Sequence, residues 1–343
     1  MSHPDLKQTL AASRRRWLIT GVAGFIGSNL LELLLQCDQQ VVGLDNFSTG
    51  HRRNLDDVQR CVGSYRWENF HLLEADIAQS SDCTEACAGI DYVFHQAALG
   101  SVTRSIADPQ GTNRANITGF VNMLVAARDA KVKRFVYASS SAVYGDHPGL
   151  PKVEEAIGKP LSPYAVTKCV NELYAEVFSK TYGMECVGLR YFNVFGRRQS
   201  PDGPYAAVIP IWVANMLEGR PCVINGDGAT SRDFCYVDNV TQANLLAAAT
   251  ANPQALNTVY NIAVGERTTL HELYTMIRDR LIPFRPGLRG TEPHFGPFRQ
   301  GDIRHSLSDI GKAARLLSYS PTHTVAQGLD EAISWYAASL GAK

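Results

Sequence analysis

The stretch RWLITGVAGFIGSNLLELLLQ, residues 16–36, decides the fold. Its opening residues RWLIT are mostly apolar and predict a buried strand, and SNLLELLLQ at 28–36 predicts a helix. Gly21, Gly24 and Gly27 lie between the two. A glycine-rich turn that opens a helix lets backbone N–H groups approach a pyrophosphate, which then sits at the positive end of that helix. The stretch therefore predicts a strand, a phosphate-binding turn and a helix.

The next strand supports the same interpretation, since QVVGLD (40–45) is apolar and ends at an acid, Asp45. A carboxylate at that place suits the ribose hydroxyls of NAD and repels the 2′-phosphate of NADP. Asp76 ends the following strand, FHLLEAD (70–76), where it is placed either to reach an adenine edge or to cap a helix. The alternative is a purely structural strand–helix turn.

Outward from this unit, apolar strands continue to alternate with helices, which predicts an α/β fold with a Rossmann-type, doubly wound parallel sheet. A smaller C-terminal α/β substrate lobe is predicted after residue 195, where the sequence becomes polar and rich in Pro and Gly. The predicted domains are 1–195, with a polar leader at 1–14, and 196–343. The predicted elements are strands at 91–98, 134–140, 186–192, 222–225 and 258–265, and helices at 112–130, from Tyr164, at 206–218, from Thr268 and twice near the end. The strand at 258–265 is a candidate for a return to the first sheet.

The composition is that of an ordinary globular protein: 343 residues, 45% hydrophobic, 19% charged and a net charge of zero. Nothing in the charge indicates a nucleic-acid or membrane surface, so neither is expected as a partner. The 8 cysteines are scattered without a C-x-x-C pair. They predict reduced thiols, a cytoplasmic protein and no metal site. Arg14–Arg16 before an apolar run imitates a signal peptide, but Asn29 and Glu32 interrupt that run.

A second decisive stretch is SPYAVTK (162–168), in which Ser162 and Pro163 are typical of a helix start. Tyr164 and Lys168 are then four residues apart and lie on one helix face. A nearby ammonium favours the phenolate and lowers the pKa of a tyrosine. The spacing indicates that Tyr164 is an acid/base.

Further motifs follow in order, and together they resemble the extended short-chain dehydrogenase/reductases that act on nucleotide sugars. The closest likeness is to UDP-N-acetylhexosamine 4-epimerases of bacterial O-antigen and capsule pathways. The resemblance covers nearly the whole chain from Arg16. The motifs are HQAALGS (95–101), SSSAVYGD (139–146), SPYAVTK (162–168), LRYFNVFG (189–196), SRDFCYVDN (231–239) and FRQGDIRHS (298–306).

The resemblance implies a tightly bound NAD that is recycled in each turnover. It assigns the pyrophosphate to the glycine turn, the ribose to Asp45 and its neighbours, and the adenine to Asp76 and Ile77. The implied cofactor-binding residues are Gly21, Gly24, Phe25, Ile26, Gly27, Asp45, Asn46, Ser48, Thr49, Gly50, Asp76, Ile77, Gln96, Ala97, Ala98, Leu99, Tyr164, Lys168 and Tyr191.

The resemblance also implies the catalytic roles. Tyr164 is the base that takes the proton of the sugar 4-hydroxyl, and Lys168 holds the nicotinamide ribose and lowers the pKa of the tyrosine. Ser140 bridges the phenol and the 4-oxygen; its register, four residues before Tyr144, is ambiguous because Ser139 and Ser141 are neighbours. His95 is interpreted as a structural core residue.

For the UDP-sugar, the resemblance implies that Arg232 and Arg299 bind the diphosphate and that Asp302 binds the uridine ribose. Ser306 replaces the bulky tyrosine of enzymes restricted to UDP-glucose and UDP-galactose, which leaves room for a 2-acetamido group. The implied substrate-binding residues are Gly100, Ser101, Ser140, Ser141, Tyr164, Asn193, Ala207, Val208, Val223, Ile224, Asn225, Arg232, Arg299, Asp302 and Ser306.

Several alternatives stay open at this point. The same chemistry on UDP-N-acetyl-hexosaminuronic acids would need cations for the C6 carboxylate, for which Arg104, Arg197, Arg198 and Arg304 are candidates. Ser141 and Ala142 replace the Asp-Glu pair of a dehydratase, which argues against that reaction, whereas sequence letters alone do not exclude a decarboxylase. A non-catalytic NAD-binding regulator is the alternative from another class. The resemblance also implies a homodimer that pairs the Tyr164 helix and its neighbour into a four-helix arrangement.

Overall fold

The computed structural model describes residue 10 and residues 13–202, 206–298 and 304–340. Most of the predicted polar leader lies outside these ranges, as do Arg299 and Asp302, two of the residues assigned to the substrate.

A seven-stranded sheet forms the centre of the fold, in the order β11-β6-β5-β4-β1-β2-β3. Every neighbouring pair in it is parallel. The carboxyl ends of the strands therefore meet at one edge, where an open parallel sheet binds its ligands. The strands are β1 (Arg16–Thr20), β2 (Gln40–Asp45), β3 (Phe70–Glu74), β4 (Tyr92–His95), β5 (Arg134–Ser140), β6 (Cys186–Tyr191) and β11 (Thr258–Ile262).

Helices cover both faces of the sheet. On one face α1, α2 and α9 share a core with β1 and β6, and on the other face α3, α6 and α7 share a second core. Burial on both faces explains why these strands read as continuous apolar runs. The helices are α1 (Phe25–Gln36), α2 (Arg52–Trp67), α3 (Ser80–Ala86), α4 (Val102–Ala107), α5 (Pro109–Asn113), α6 (Gly119–Asp129), α7 (Pro163–Tyr182), α8 (Val208–Glu218), α9 (Val237–Ala249), α10 (Leu270–Leu281), α11 (Gly311–Leu317) and α12 (Val325–Leu340).

A smaller lobe has its own core between α8, α10 and α12, built around Trp212, Tyr274 and Ile333. Short two-stranded sheets lie beside it. Their strands are β7 (Val194–Phe195), β8 (Val223–Asn225), β9 (Ser231–Arg232), β10 (Cys235–Tyr236), β12 (Thr268–Thr269) and β13 (His294–Gly296). The domain boundary at residue 195 stays a prediction, because the chain crosses back to the first sheet through α9 and β11.

The predicted α/β class and parallel sheet are confirmed, and the strand expected at 258–265 does return to the first sheet, as β11 beside β6. The helix predicted at 112–130 is instead divided into α5, a π-helical turn (Arg114–Thr118) and α6. Helix α9 was not predicted because nearly all its residues are buried, including Asn239 and Asn244, so it has no polar face to reveal a helical period.

Two general expectations can be compared with the structure. All eight cysteines fall among the described residues and all are free thiols. No helix among the described residues is both long and apolar enough to cross a bilayer.

Candidate active site

The glycine turn between β1 and α1 leaves no room for side chains. Gly21 has a φ of 70°, and a Cβ there would lie 2.9 Å from the backbone of Ala97. A Cβ on Gly27 would lie 2.1 Å from the carbonyl oxygen of Gly21. Gly24 is the N-cap residue of α1 and has no side chain that could bond to the first N–H groups of the helix. This geometry fits a dinucleotide pyrophosphate.

A cavity of about 380 Å³ opens at this turn, along the carboxyl edge of the sheet. Every residue that the sequence assigned to the cofactor lines it, from the glycine turn to Tyr164, Lys168 and Tyr191. Gly100, assigned to the substrate, lies there too. The lining also includes residues not predicted, which are small or apolar and carry no chemical signal in the sequence apart from Ser139: Leu44, Ala75, Ala115, Ala138 and Ser139.

Two carboxylates in the cavity wall are held by backbone N–H groups. Asp45 accepts from the N–H groups of Ala23 and Phe47, both at 2.8 Å. Burial raises the pKa of Asp45, and these hydrogen bonds oppose that rise. Asp76 accepts from the N–H of Ala78 at 2.9 Å and so stabilises a turn as well as lining the cavity.

Tyr164 stands at the first turn of α7, where Ser162 caps the helix by accepting from the N–H of Ala165 at 3.1 Å. Burial raises the pKa of Tyr164, and a hydrogen bond between its side chain and that of Ser140 lowers it. Lys168 donates from Nζ to the carbonyl oxygen of Ala138 at 2.8 Å, and burial lowers its pKa to about 8. Its ammonium lies 5.9 Å from the centroid of the Tyr164 ring.

The expectation that Lys168 lowers the pKa of Tyr164 is not met in this structure. Burial outweighs every opposing effect on the phenol, and the group that favours the phenolate is the Ser140 hydroxyl. The ammonium is directed to the Ala138 carbonyl at the end of β5 instead.

The structure separates the three consecutive serines. Ser139 donates its hydroxyl to Oε1 of Glu172 at 2.5 Å. Ser140 bonds to Tyr164 and also accepts from the N–H of Ala142 at 3.1 Å. Ser141 begins a 3₁₀ helix, Ser141–Tyr144. Ser140 is therefore the serine whose hydroxyl contacts the candidate base.

His95 lies in the core, as interpreted from the sequence. Its Nδ1 is 2.9 Å from Oγ1 of Thr20, and burial lowers its pKa to about 3. The ring is therefore neutral at physiological pH.

A second cavity, of about 440 Å³, lies in the smaller lobe. Arg232 lines it and donates to the carbonyl oxygens of Ser231 and Arg304. Trp212 and Phe234 form part of its wall and were not predicted. Residues assigned to the substrate that line this cavity are Asn193, Val208, Val223, Asn225 and Arg232.

The other substrate assignments have different surroundings. Ala207 is the N-terminal cap residue of α8, and Ser101 caps α4. Ser306 donates its N–H to the carbonyl oxygen of Ser231, beside Arg232. Ile224 lines neither of these two cavities, and its side chain is fully buried in the core of the smaller lobe.

Three of the arginines considered for a C6 carboxylate are held by acids of the protein. Arg198 has a fully buried side chain that pairs with Glu32 at 2.6 Å and with Asp57 at 2.7 Å. Arg197 lies 3.4 Å from both Glu32 and Asp238, and Arg304 pairs with Asp227 at 2.6 Å.

The turn, the acid behind it and the Ser140–Tyr164–Lys168 cluster are the parts of an NAD-dependent site, and residues 17–263 match the family described as "NAD dependent epimerase/dehydratase family". The chain belongs to this family. Among curated relatives, it is 35% identical over 326 residues to a UDP-glucose 4-epimerase of Mycolicibacterium smegmatis, covering 94% of this chain and 98% of that protein.

Two solved structures of family members have the same fold. One is a UDP-N-acetylglucosamine 4-epimerase from Methanobrevibacter ruminantium M1, in complex with UDP-N-acetylmuramic acid. It has a TM-score of 0.87 and 36% identity, covering 95% of this chain and 99% of that chain. The other is a UDP-glucuronic acid 4-epimerase from Bacillus cereus, in complex with UDP-glucuronic acid and NAD. It has a TM-score of 0.83 and 32% identity, covering 94% of this chain and 99% of that chain.

These similarities confirm three predictions: the Rossmann-type fold, the dependence on NAD, and the enzyme class, an isomerase of the UDP-sugar 4-epimerase type. The relatives differ in the sugar that their names specify, so the family match leaves the choice of sugar open.

Proposed function

We propose that this family member interconverts UDP-GlcNAc and UDP-GalNAc through a transient 4-keto sugar. The observation that carries the proposal is the phenol–hydroxyl pair of Tyr164 and Ser140: Tyr164 lines the dinucleotide cavity, and the Ser140 side chain interacts with its phenol. A non-catalytic NAD-binding protein would have no need of this pair.

The protein's own residues supply the proton chemistry. Tyr164, as phenolate, takes the proton of the 4-hydroxyl, and Ser140 bridges the phenol oxygen and the 4-oxygen. Because burial raises the pKa of Tyr164, the phenolate would depend on the Ser140 hydroxyl and on the positive nicotinamide of bound NAD⁺. Lys168, with a pKa of about 8, carries a positive charge at neutral pH and would hold the hydroxyls of the nicotinamide ribose. NAD⁺, held by the glycine turn, Asp45 and Lys168, would supply the hydride acceptor for C4 and the hydride donor for return to the opposite face of the sugar, with no net redox change.

Ser306 supports the acetylated substrate. It lies in a segment that is hydrogen-bonded to β9, next to Arg232. Arg232 lines the second cavity, in the smaller lobe, which we assign to the substrate. A serine there occupies far less volume than a tyrosine and leaves space for a 2-acetamido group. The structural neighbour named as a UDP-N-acetylglucosamine 4-epimerase agrees with this choice.

The uronic-acid form of the same sugars is the second candidate. It is favoured by the structural neighbour named as a UDP-glucuronic acid 4-epimerase. The ion pairs of Arg197, Arg198 and Arg304 weaken it, because those guanidinium groups already have carboxylate partners.

A homodimer is part of the proposal. Helix α7 directs large apolar side chains to solvent, among them Val166, Leu173 and Val177, which are 46%, 60% and 53% exposed. Ile106 on the neighbouring α4 is 64% exposed. Such a row of exposed apolar residues on adjacent helices is typical of a subunit interface.

Proton NMR of the purified protein tests the function, with UDP-GlcNAc in one tube, its C6-carboxylate form in a second and no added NAD. A new anomeric signal of the galacto epimer from UDP-GlcNAc is the expected result. Turnover of the carboxylate alone would move the substrate to the uronic acids. If neither tube shows a product signal although NAD is bound to the protein, the non-catalytic alternative is favoured.

The Tyr164→Phe variant tests the mechanism. It removes only the phenolic oxygen, so we expect NAD to stay bound and turnover to fall by at least ~10²-fold, the usual loss for a general base. Tyr260→Phe is the matched control, since it deletes another buried tyrosine hydroxyl, one that donates to the carbonyl oxygen of Ala255 at 2.9 Å. Full turnover by the Tyr164→Phe variant would refute the assignment of the base.

A further inference from the structure

Asn261 is fully buried on β11 and connects parts of the chain that are distant in sequence. Its backbone N–H donates to Oε1 of Glu154 at 2.8 Å. Its side-chain Oδ1 accepts from the hydroxyl of Tyr144 at 2.6 Å, and its Nδ2 donates to the carbonyl oxygens of Lys152 at 2.9 Å and Asp309 at 3.1 Å. Carbonyl oxygens only accept, so the amide nitrogen must face them and its orientation is determined.

The first connection leads to the candidate catalytic serine. Tyr144 ends the 3₁₀ helix that Ser140 caps, and its ring is buried with 1% of its surface exposed. Its hydroxyl donates to Asn261 and accepts from Nη1 of Arg190 at 3.1 Å. The end of the turn that carries Ser140 is therefore fixed to β11 and β6.

The second connection leads to Ser306. We call residues 304–309 the strap. Lys152 holds it on both sides: its N–H donates to the carbonyl oxygen of Leu307 at 2.8 Å, and its carbonyl oxygen accepts from the N–H of Asp309 at 2.9 Å. Asn261 binds this same Lys152 carbonyl and the carbonyl of Asp309 itself. The amide nitrogen of Asn261 thus fixes the end of the strap.

We propose that Asn261 is a positioning residue that holds the Ser140 turn and the Ser306 strap in a fixed relation, so that the catalytic hydroxyl and the C2-substituent pocket fit the same sugar. The inference rests on the proposed function, which assigns those roles to Ser140 and Ser306. Asn261 lines neither of the two cavities described above, and its side chain acts through Tyr144, Lys152 and Asp309.

Two substitutions cut the two connections separately. Tyr144→Phe removes the hydroxyl that joins Asn261 to the serine turn and leaves the strap contacts in place. Asn261→Asp keeps an oxygen that accepts from Tyr144 and replaces the nitrogen that donates to Lys152 and Asp309. Tyr260→Phe is the control for both, because Tyr260 is the neighbour of Asn261 on β11 and its hydroxyl donates to the carbonyl oxygen of Ala255.

Steady-state kinetics on UDP-GlcNAc and UDP-glucose distinguish positioning from bulk stability. For Tyr144→Phe we expect kcat to fall by ~10- to 100-fold with little change in KM, since misplacing a catalytic group by ~1 Å costs up to ~10²-fold. For Asn261→Asp we expect KM to rise and the ratio of kcat/KM between the two sugars to change by at least ~5-fold, within the range that pocket contacts provide. Tyr260→Phe should leave all of these values near those of the wild type.

Hydrogen–deuterium exchange gives a readout that does not depend on turnover. Tyr144→Phe should raise exchange in peptides covering 140–145, and Asn261→Asp should raise it in peptides covering 304–309. The inference is wrong if Tyr144→Phe gives the same kinetics and exchange as Tyr260→Phe. It is also wrong if Asn261→Asp leaves both the ratio of kcat/KM between the two sugars and the exchange of residues 304–309 unchanged. A wild-type protein inactive on every UDP-sugar would instead refute the proposed function, and the exchange data would still decide whether Asn261 links the two segments.

Discussion

At the scale of single residues, Ser306 tests the sugar preference directly. Ser306→Tyr fills the space proposed for the acetamido group, so we expect kcat/KM for UDP-GlcNAc to fall by about 10- to 200-fold, the range for steric discrimination in a pocket. UDP-glucose has a hydroxyl at C2, and its kcat/KM should change little. Ser306→Ala keeps the small volume and serves as the control. A tyrosine variant that still prefers the acetylated sugar would place the acetamido group elsewhere.

Gly27 tests the pyrophosphate turn. A Cβ at Gly27 would lie 2.1 Å from the carbonyl oxygen of Gly21, so Gly27→Ala must displace the turn. We expect the affinity for NAD to fall at least ~10-fold, about 1.4 kcal/mol of binding, so that the purified variant carries less NAD than the wild type. The content is measured by absorbance after acid release. Gly287→Ala is the control, because nothing lies within 4 Å of a Cβ at that glycine; equal NAD in the two variants would contradict the prediction.

At the scale of elements, the sequence predicted what local patterns encode. Strands β1, β2 and β5 have the predicted bounds, because each is a continuous apolar run that ends at a turn or at polar residues. The cofactor residues line one cavity because they follow consecutive parallel strands, whose ends share one edge of the sheet. Their individual roles stay predictions.

Other features of the fold and the site depend on tertiary contacts, which local sequence patterns do not encode. Helix α9 lacks a polar face because it is buried on nearly all sides, and the sequence did not indicate that the side chain of Ile224 lies in the core of the smaller lobe. The pKa of Tyr164 could not be inferred from the i,i+4 spacing either, because burial of the phenol raises that pKa, only the Ser140 hydroxyl opposes the rise, and the lysine binds elsewhere.

Asp233 gives an element-scale prediction, since it joins the end of β11 to the strap. Its carboxylate is fully buried and accepts from the N–H groups of Val264 at 3.0 Å, Gly265 at 3.1 Å and Ser308 at 3.2 Å. Burial raises its pKa to about 7, and these hydrogen bonds oppose the rise. The folded protein therefore keeps this proton at a higher pH than the unfolded chain does.

The sign of the pH dependence follows. Between pH ~4 and ~7 the folded state binds more protons at Asp233 than the unfolded state, so its contribution to the free energy of unfolding falls as the pH rises, by on the order of 1–4 kcal/mol. Urea unfolding at several pH values measures this dependence. In Asp233→Asn the free energy of unfolding should no longer show this decline between pH ~4 and ~7, even if the variant is more or less stable than the wild type at every pH. Asp279→Asn, which removes an exposed carboxylate, should keep it. An unchanged profile in Asp233→Asn would show that Asp233 is ionised throughout.

At the scale of the whole molecule, α7 joins the active site to the proposed subunit interface. Its first two turns supply Tyr164 and Lys168 to the cavity, and its exposed residues continue along the same helix to Leu173 and Val177. A dimer that buries these side chains would hold the catalytic helix on its outer face as well as against the sheet. Assembly and the order of the active site would then depend on the same element.

Light scattering after size exclusion should therefore give twice the chain mass of 37.6 kDa for the wild type. Leu173→Glu places a carboxylate in the proposed interface, where an unpaired charge costs several kcal/mol, so we expect a monomer. Tyr65→Glu is the control, since Tyr65 is 81% exposed on α2 and distant from α7 in the chain. If Leu173→Glu stays dimeric, the subunits associate through another surface. Leu173 does not line the cofactor cavity, so its substitution does not act on that cavity directly. If the variant is a monomer that keeps its NAD but loses turnover, the interface is therefore needed to hold Tyr164 in place.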